Sequence, residues 1–388
     1  MILPVYTRPP ITITHGEGCY LYDSTGRRYL DFVSGIGVNA LGHNHPRITD
    51  TISEQAGRLI HSSNLFHNEY QRPLASKLAE MSRLAHVFFT NSGAEAMEVA
   101  LKTAKAGGRH EIVAIENGFH GRTSGALSVT SDPKYRVPFE PLLPGVTFVP
   151  ANDIGALRAA VSEKTAAVVI ETVQGEGGVH TMTEAYLREV RRATAAHGAL
   201  WIADETQCGL GRTGHYFAYQ RFDGLLPDIV TTAKPLAAGI PLGATIFSER
   251  AAGLIKAGEH GSTFGGGPLA CRVALVVLEM VEELLPHIRA IGAYLHNRLV
   301  EFGYAVRGEG LMAGVQLDDP GGNVVDEARE NGLLINCTHD TVLRFLPPYI
   351  ATKAHVDEAV EILRSLREFR QSVTGHAEDR PFVLGLGA

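Results

Sequence analysis

The sequence predicts an α/β fold: a mostly parallel central sheet in a large domain, with a smaller α+β domain built from both chain ends. Three observations carry that expectation. Between residues 86 and 248, short β-rich runs alternate with helical patterns, and most of the runs are apolar throughout, as strands covered on both faces must be. The stretches between them carry apolar residues at helical spacing, and strand–helix–strand repetition favours a parallel sheet. The chain ends read differently, with a hairpin pattern near the start and a long helical stretch beyond residue 267.

In chain order, "GCYLYDSTGRRYLDF" (18–32) predicts a hairpin around a Ser-Thr-Gly turn. The strand runs are "HVFFT" (86–90), "EIVAI" (111–115), "VTFVP" (146–150), "AAVVIE" (166–171), "ALWIAD" (199–204), "DIVTTA" (228–233) and "GATIFS" (243–248). In "TMTE", Thr181 with Glu184 reads as a capping box, ahead of a helix carrying Leu187, Val190, Thr194 and His197 on one face. Beyond 268 come the long helix, short strands near 311–317 and 333–346, and a helix with Val356, Val360, Leu363 and Leu366. Residues 1–50 are expected to join the small domain, 51–267 to form the large one and 268–388 the rest of the small one. The tail from Ser372 has no sustained period and is expected to be loosely held.

Composition narrows the function. The chain is 45% hydrophobic and 20% charged, which places it among ordinary soluble proteins. A formal charge of −7 with no basic tract longer than Arg191-Arg192 argues against nucleic acid or an anionic membrane as partner. The opening "MILPVYTRPP" lacks the pattern of a signal peptide, and the longest apolar runs are too short to span a bilayer. The 4 cysteines show no paired spacing, which predicts free thiols and a cytoplasmic location.

Chemistry is expected at the carboxyl ends of the strands, where parallel sheets bind ligands. In "TTAKPLAAG" (231–239), Lys234 ends a core strand, and a buried amine there needs an exit to water or a chemical task. In "FFTNSGAEAMEVALKTA" (88–104), Ser92 and Glu95 cap a helix whose first amides suit a phosphate, although an ordinary capped helix reads the same way. "WIADETQCGLGRTG" (201–214) contains G-x-G-x-x-G at Gly209, Gly211 and Gly214. Those glycines do not directly follow the strand and no helical pattern follows them, which disfavours a nicotinamide oxidoreductase. Asp204 closes an apolar strand and needs a cationic partner, in a structural ion pair or at a site. A carboxylate for a pyridine nitrogen, a reactive lysine and a phosphate cradle together are what pyridoxal phosphate (PLP) requires. "GHNHP" sets His43 and His45 two apart with His61 and His67 further on, a spacing that disfavours zinc; no metal is expected. Cys208 has no activating base at readable spacing and is left as a bystander.

"NSGAEA" (91–96), "GFHGRT" (118–123), "VQGEGG" (173–178), "DETQCGLGRTG" (204–214), "TTAKPLAAGIPLGA" (231–244) and "HGSTFGGGPLA" (260–270) occur in that order. Together they resemble the class III PLP-dependent aminotransferases, over roughly residues 10 to 370. The resemblance implies the fold type I PLP transferase architecture and a homodimer with shared active sites. It implies that Lys234 holds the cofactor and shuttles a proton, that Asp204 keeps the pyridine nitrogen protonated, and that Gln207 bonds the ring hydroxyl oxygen. It further implies that Gly93 and Ala94 offer amides to the phosphate, that Phe119 stacks on the ring, and that Glu205 and Thr206 belong to the cofactor site. Thr263 is expected to reach the neighbouring subunit's phosphate, with Ser262 near substrate. For substrates, Arg122 would pair with a carboxylate, and Arg344 would take the α-carboxylate of glutamate, neutralised by Glu176 when that carboxylate is absent. The expected reaction moves the terminal amine of N2-acetylornithine to 2-oxoglutarate. Ornithine, succinylornithine or succinyldiaminopimelate as donor, or an aminomutase reaction, are the alternatives. Four residues depart from the family pattern: Thr206 for an aliphatic residue, Thr172 for proline, and Met97 and Gly267 for asparagine.

Overall fold

A computed structural model describes residues 2–367 and 369; the tail from Ser372 lies outside them. At its centre is a seven-stranded sheet of β4 (His86–Thr90), β5 (Glu111–Ile115), β6 (Val146–Val149), β7 (Thr165–Ile170), β8 (Leu200–Asp204), β9 (Ile229–Thr232) and β10 (Gly243–Phe247), in the order β4-β10-β9-β8-β7-β5-β6. From β9 through β6 every pairing is parallel, while β10 runs antiparallel to both its neighbours. Every residue of β7 to β10 is buried, which is why their sequences are apolar without alternation. In the β8–β9 register Asp204 faces Thr231, so the carboxyl ends of these strands and the start of β10 share one sheet edge.

The helices cover this sheet. Ser92 caps Gly93–Ala106 by accepting from the Glu95 amide at 3.2 Å, but the Glu95 carboxylate returns to the Asn91 amide, one residue before the cap. For Glu184–His197 the cap is Thr183, not the expected Thr181. Thr183 accepts from the Tyr186 amide three residues on, whereas Thr181 is held extended by a bridge to Val173. Its apolar stripe of Tyr186, Leu187, Val190 and Ala193 packs into the core.

The chain ends meet outside the central sheet. β1 (Ile13–Glu17), β2 (Tyr20–Asp23) and β3 (Arg28–Asp31) form an antiparallel sheet that β13 (Leu333–Leu334) joins by pairing parallel to β3. The expected hairpin turn is organised by the Asp23 carboxylate, which accepts from the Thr25 and Arg27 amides. A third sheet has the order β11 (Val306–Glu309), β12 (Met312–Gln316), β15 (Val342–Phe345), β14 (Asn336–Thr338). The helix Pro268–Val300 packs against the closing helix Lys353–Ser365. Among the described residues, no helix is long and apolar enough to cross a membrane.

Candidate active site

At the carboxyl ends of β8 and β9, a cavity of about 260 Å³ is lined by Gly93, Ala94, Phe119, Arg122, Asp204, Thr206, Gln207 and Lys234. All eight were expected from the sequence. His120, Gly121 and Glu171 complete the lining and were not. The backbone approaches closely here: a Cβ on Gly93 would lie 2.6 Å from Thr206 Cγ2, and one on Gly121 would lie 2.7 Å from the Ala94 side chain. Those two glycines let the helix start and the 118–123 loop close over one small space.

Asp204 is buried and fully partnered. Its Oδ1 accepts from the Thr206 amide (3.1 Å) and the Thr231 hydroxyl (2.9 Å), and its Oδ2 from His120 Nδ1 (2.7 Å). Burial works against the charged form, but the hydrogen bond and charge of His120 outweigh it and hold the Asp204 carboxyl below its ordinary value. For His120 too burial is the largest influence and opposes charge, yet Asp204 prevails and raises its pKa. His120 Nε2 is buried with no hydrogen-bond partner among the described residues. Glu171 stands beside this pair, with its oxygens accepting from the Phe119 amide (3.0 Å) and the Gly175 amide (3.1 Å). Burial pushes its carboxyl up to about 7, His120 drawing it down and Asp204 pushing it up.

Lys234 lies three residues beyond Thr231, half-buried, with no ion pair among the described residues. Burial lowers its pKa, against the pull of Glu176 and with the push of Arg344, which favours the uncharged, nucleophilic amine. Arg344 is completely buried on β15, and its Nη1 donates to Glu176 Oε1 (2.8 Å) and Gln207 Oε1 (2.9 Å). Burial disfavours the Glu176 carboxylate, but Arg344 and then Lys234 hold its pKa below the ordinary value. Glu176, Gln207 and Arg344, expected from separate motifs, thus form one connected group. The Arg122 guanidinium lies over the Tyr135 ring at 4.1 Å and the Phe119 ring at 5.5 Å, at the exposed side of the cavity.

Three expected residues sit apart from both this lining and the group of Glu176, Gln207 and Arg344. Glu205 turns to the opposite side of the strand end, where its carboxylate accepts from the Ala218 amide (2.7 Å), the Tyr219 amide (3.2 Å) and the Thr172 hydroxyl (2.9 Å). The Thr172 hydroxyl therefore supplies a donor that a proline in its place could not. Ser262 accepts from the Gly265 amide (3.0 Å) and the Asn91 side chain (3.3 Å), and Thr263 is exposed on the same loop. Glu205→Ala is expected to cost on the order of 3 kcal/mol, because it strands two buried amides. Denaturant unfolding of wild type and variant measures this. Burial raises the Glu205 carboxyl to about 7, so the native state holds its proton more tightly than the unfolded chain. Its contribution to stability falls as pH rises from the ordinary carboxylate range to about 7, and the variant lacks that slope.

His120 and Glu171 had readable signals. Glu171 closes an apolar run just as Asp204 does, and His120 sits in the glycine-flanked "GFHGRT". The G-x-G-x-x-G glycines lie in a run of turns, with no helix opened by them. His43 is spent on Asp31 (2.8 Å), and among the described residues no group of three acids, histidines or cysteines is placed to hold a metal.

The donor set fits PLP. A buried carboxylate held ionised, an amine of lowered pKa and a capped helix start kept open by Gly93 converge on one cavity. The Thr206 hydroxyl there is buried with no partner among the described residues. Comparison with known proteins agrees. The chain belongs to the aminotransferase class-III family, whose model matches residues 3–366, and it is a PLP-dependent aminotransferase. It is 46% identical over 369 residues to the acetylornithine aminotransferase of Aquifex aeolicus, covering 93% of this chain and 98% of that protein. Among solved structures, the ornithine aminotransferase of Toxoplasma gondii, with PLP at partial occupancy, superposes with a TM-score of 0.91 at 32% identity, covering 96% of this chain and 93% of that one. The N-acetylornithine aminotransferase of Stenotrophomonas maltophilia K279a gives 0.81 at 32% identity, covering 95% and 96%.

Proposed function

We propose that the protein transfers the terminal amine of N2-acetylornithine to 2-oxoglutarate, giving N-acetylglutamate semialdehyde and glutamate, a step of arginine synthesis in the cytoplasm. The observation that carries this reading is the buried Arg344 covered by Glu176 at 2.8 Å. A carboxylate-binding arginine with its own removable acid suits an enzyme that must accept a diacid in one half-reaction and a donor without a carboxylate beside its amine in the other. The sequence relation to acetylornithine aminotransferase supports the donor.

When bound, PLP supplies an electron sink for breaking a bond next to the transferred nitrogen. Lys234 Nζ would hold it covalently and would be the group that moves the proton during transfer. The ionised Asp204, backed by His120, would keep the pyridine nitrogen protonated. The amides of Gly93 and Ala94 would hold the phosphate at the helix start. Phe119 and Thr206 would flank the ring, and Gln207 would bond its hydroxyl oxygen. Glu205 acts at one remove, by fixing the turn that carries Thr206 and Gln207. Arg122 takes the distal carboxylate of the donor.

The reading includes a homodimer in which Thr263 and Ser262 serve the neighbouring site, and the division near residues 50 and 267. Phe264, Leu65 and Phe66 are exposed at 68%, 86% and 69% near that loop, an apolar surface that a second copy would cover. Ornithine as donor is the second reading, favoured by the fold match to an ornithine aminotransferase. The experiment is a half-reaction followed by absorbance, mixing the yellow holoenzyme with each amine and no 2-oxo acid. Rapid bleaching by N2-acetylornithine and not by ornithine is expected. Bleaching by ornithine alone would replace the first reading with the second.

A further inference from the structure

We infer that Thr338 is a positioning residue for substrate discrimination: it pins the backbone of Glu176, so that Arg344 is uncovered only by rotation of the Glu176 side chain. The inference deepens the proposed function and rests on it.

The segment from Gln174 to Gly178 is held at successive points. The Gly175 amide donates to Glu171, the Glu176 carbonyl accepts from the buried Thr338 hydroxyl, and the Gly178 carbonyl accepts from Arg307 Nε at 2.5 Å. The Gln174 amide closes the loop onto the His180 carbonyl at 2.8 Å. A backbone tied this way does not swing, and the freedom that remains is in the Glu176 side chain. A polar cavity of about 420 Å³, lined on this side by Glu176, Gly177 and Thr338, gives the departing carboxylate somewhere to go.

Strand β14 holds the other half of the pair as well. Asn336 lies opposite Arg344 in the β14–β15 register and accepts from its Nε at 3.3 Å. Across the other edge Arg344 faces Gly314, whose missing side chain leaves no competitor. The guanidinium is therefore fixed, its Nη1 is shared by Glu176 and Gln207, and its Nη2 is buried without a partner among the described residues. Removing Glu176 leaves a buried, uncompensated charge, which only an incoming carboxylate offsets. A diacid drives the rotation, and a donor lacking a carboxylate near its amine leaves Glu176 in place. Without the Thr338 hydroxyl, the Glu176 carbonyl loses its donor and the carboxylate is no longer presented to Arg344.

The test compares holoenzymes of wild type, Thr338→Val, which removes only the hydroxyl, and Thr338→Ser, which keeps it. For Thr338→Val, KM for N2-acetylornithine is expected to rise on the order of tenfold, the effect of one hydrogen bond. KM for 2-oxoglutarate should fall several-fold, and the affinity for glutarate, an unreactive diacid read by calorimetry, should rise in parallel as the competitor for Arg344 weakens. Thr338→Ser should restore all three. Equal changes in both KM values, or none, with glutarate affinity unchanged, would overturn the role of Thr338. The wild type run alongside reports on the underlying reading: if it turns over neither substrate, that reading has failed, while the glutarate comparison still decides whether Thr338 governs access to Arg344.

Discussion

Lys234→Ala is expected to give a folded, PLP-binding protein whose transamination is slower by at least about 10³-fold, since positioned proton transfer alone contributes about 10²–10⁴. The physical case begins with burial. A half-buried amine of lowered pKa, making no ion pair among the described residues, adds little to the fold, so its loss should leave thermal unfolding nearly unchanged. The neighbours that hold the cavity open do not depend on it. Asp204 keeps Thr206, Thr231 and His120, and Arg344 keeps Glu176 and Gln207. PLP should still bind through its phosphate and ring nitrogen, without a covalent attachment. Borohydride treatment followed by mass measurement of the intact chain checks this directly: wild type gains the mass of the cofactor and the variant does not. A variant that transaminates at the wild-type rate would remove Lys234 from the chemistry.

What the sequence shows of this site depends on whether a signal is local. The fully buried runs of β7 to β10 are legible because a strand covered on both faces cannot hide polar residues. Asp204 and Lys234 stand out as charges at the ends of such runs. The antiparallel course of β10 was also accessible: only residues 233–242 link it to β9, too few for the crossover that a parallel neighbour requires. Glu205 is the instructive difference. Side chains alternate along an extended segment, so Asp204 and Glu205 leave the strand on opposite sides. A motif that treats "DETQ" as one unit hides that alternation. The bond from His120 to Asp204 joins residues 84 apart in sequence, and Asn336 reaches Arg344 through a strand pairing. No periodicity reports such contacts, because they arise from the order of strands in the sheets.

Asp204→Asn separates charge from shape and should be nearly as damaging as loss of the lysine. An asparagine oxygen in the Oδ1 position keeps the Thr206 amide and the Thr231 hydroxyl, and its NH2 group occupies the Oδ2 position facing His120. The ring accommodates this by releasing the Nδ1 proton and accepting instead, so the cavity keeps its form. The anion that would hold a proton on the pyridine nitrogen is gone. Turnover is expected to fall by about 10³-fold or more, the scale of removing one preorganised charge-stabilising group, while PLP dissociation speeds up by a smaller factor. The pH dependence gives a second readout. Burial opposes both charges, but their attraction lowers the Asp204 pKa and raises that of His120. Asp204 therefore contributes stability that is present above the ordinary carboxylate range and lost as pH falls through its lowered native value. His120 contributes stability that is present below its ordinary value and lost as pH rises through its raised native value. In Asp204→Asn the acid-end slope from Asp204 should vanish and the His120 slope should reverse, because burial then disfavours its charged form unopposed by Asp204, while the slope from Glu205 remains. Should the variant retain both slopes and normal turnover, the pair would have no part in either the stability or the chemistry assigned to it.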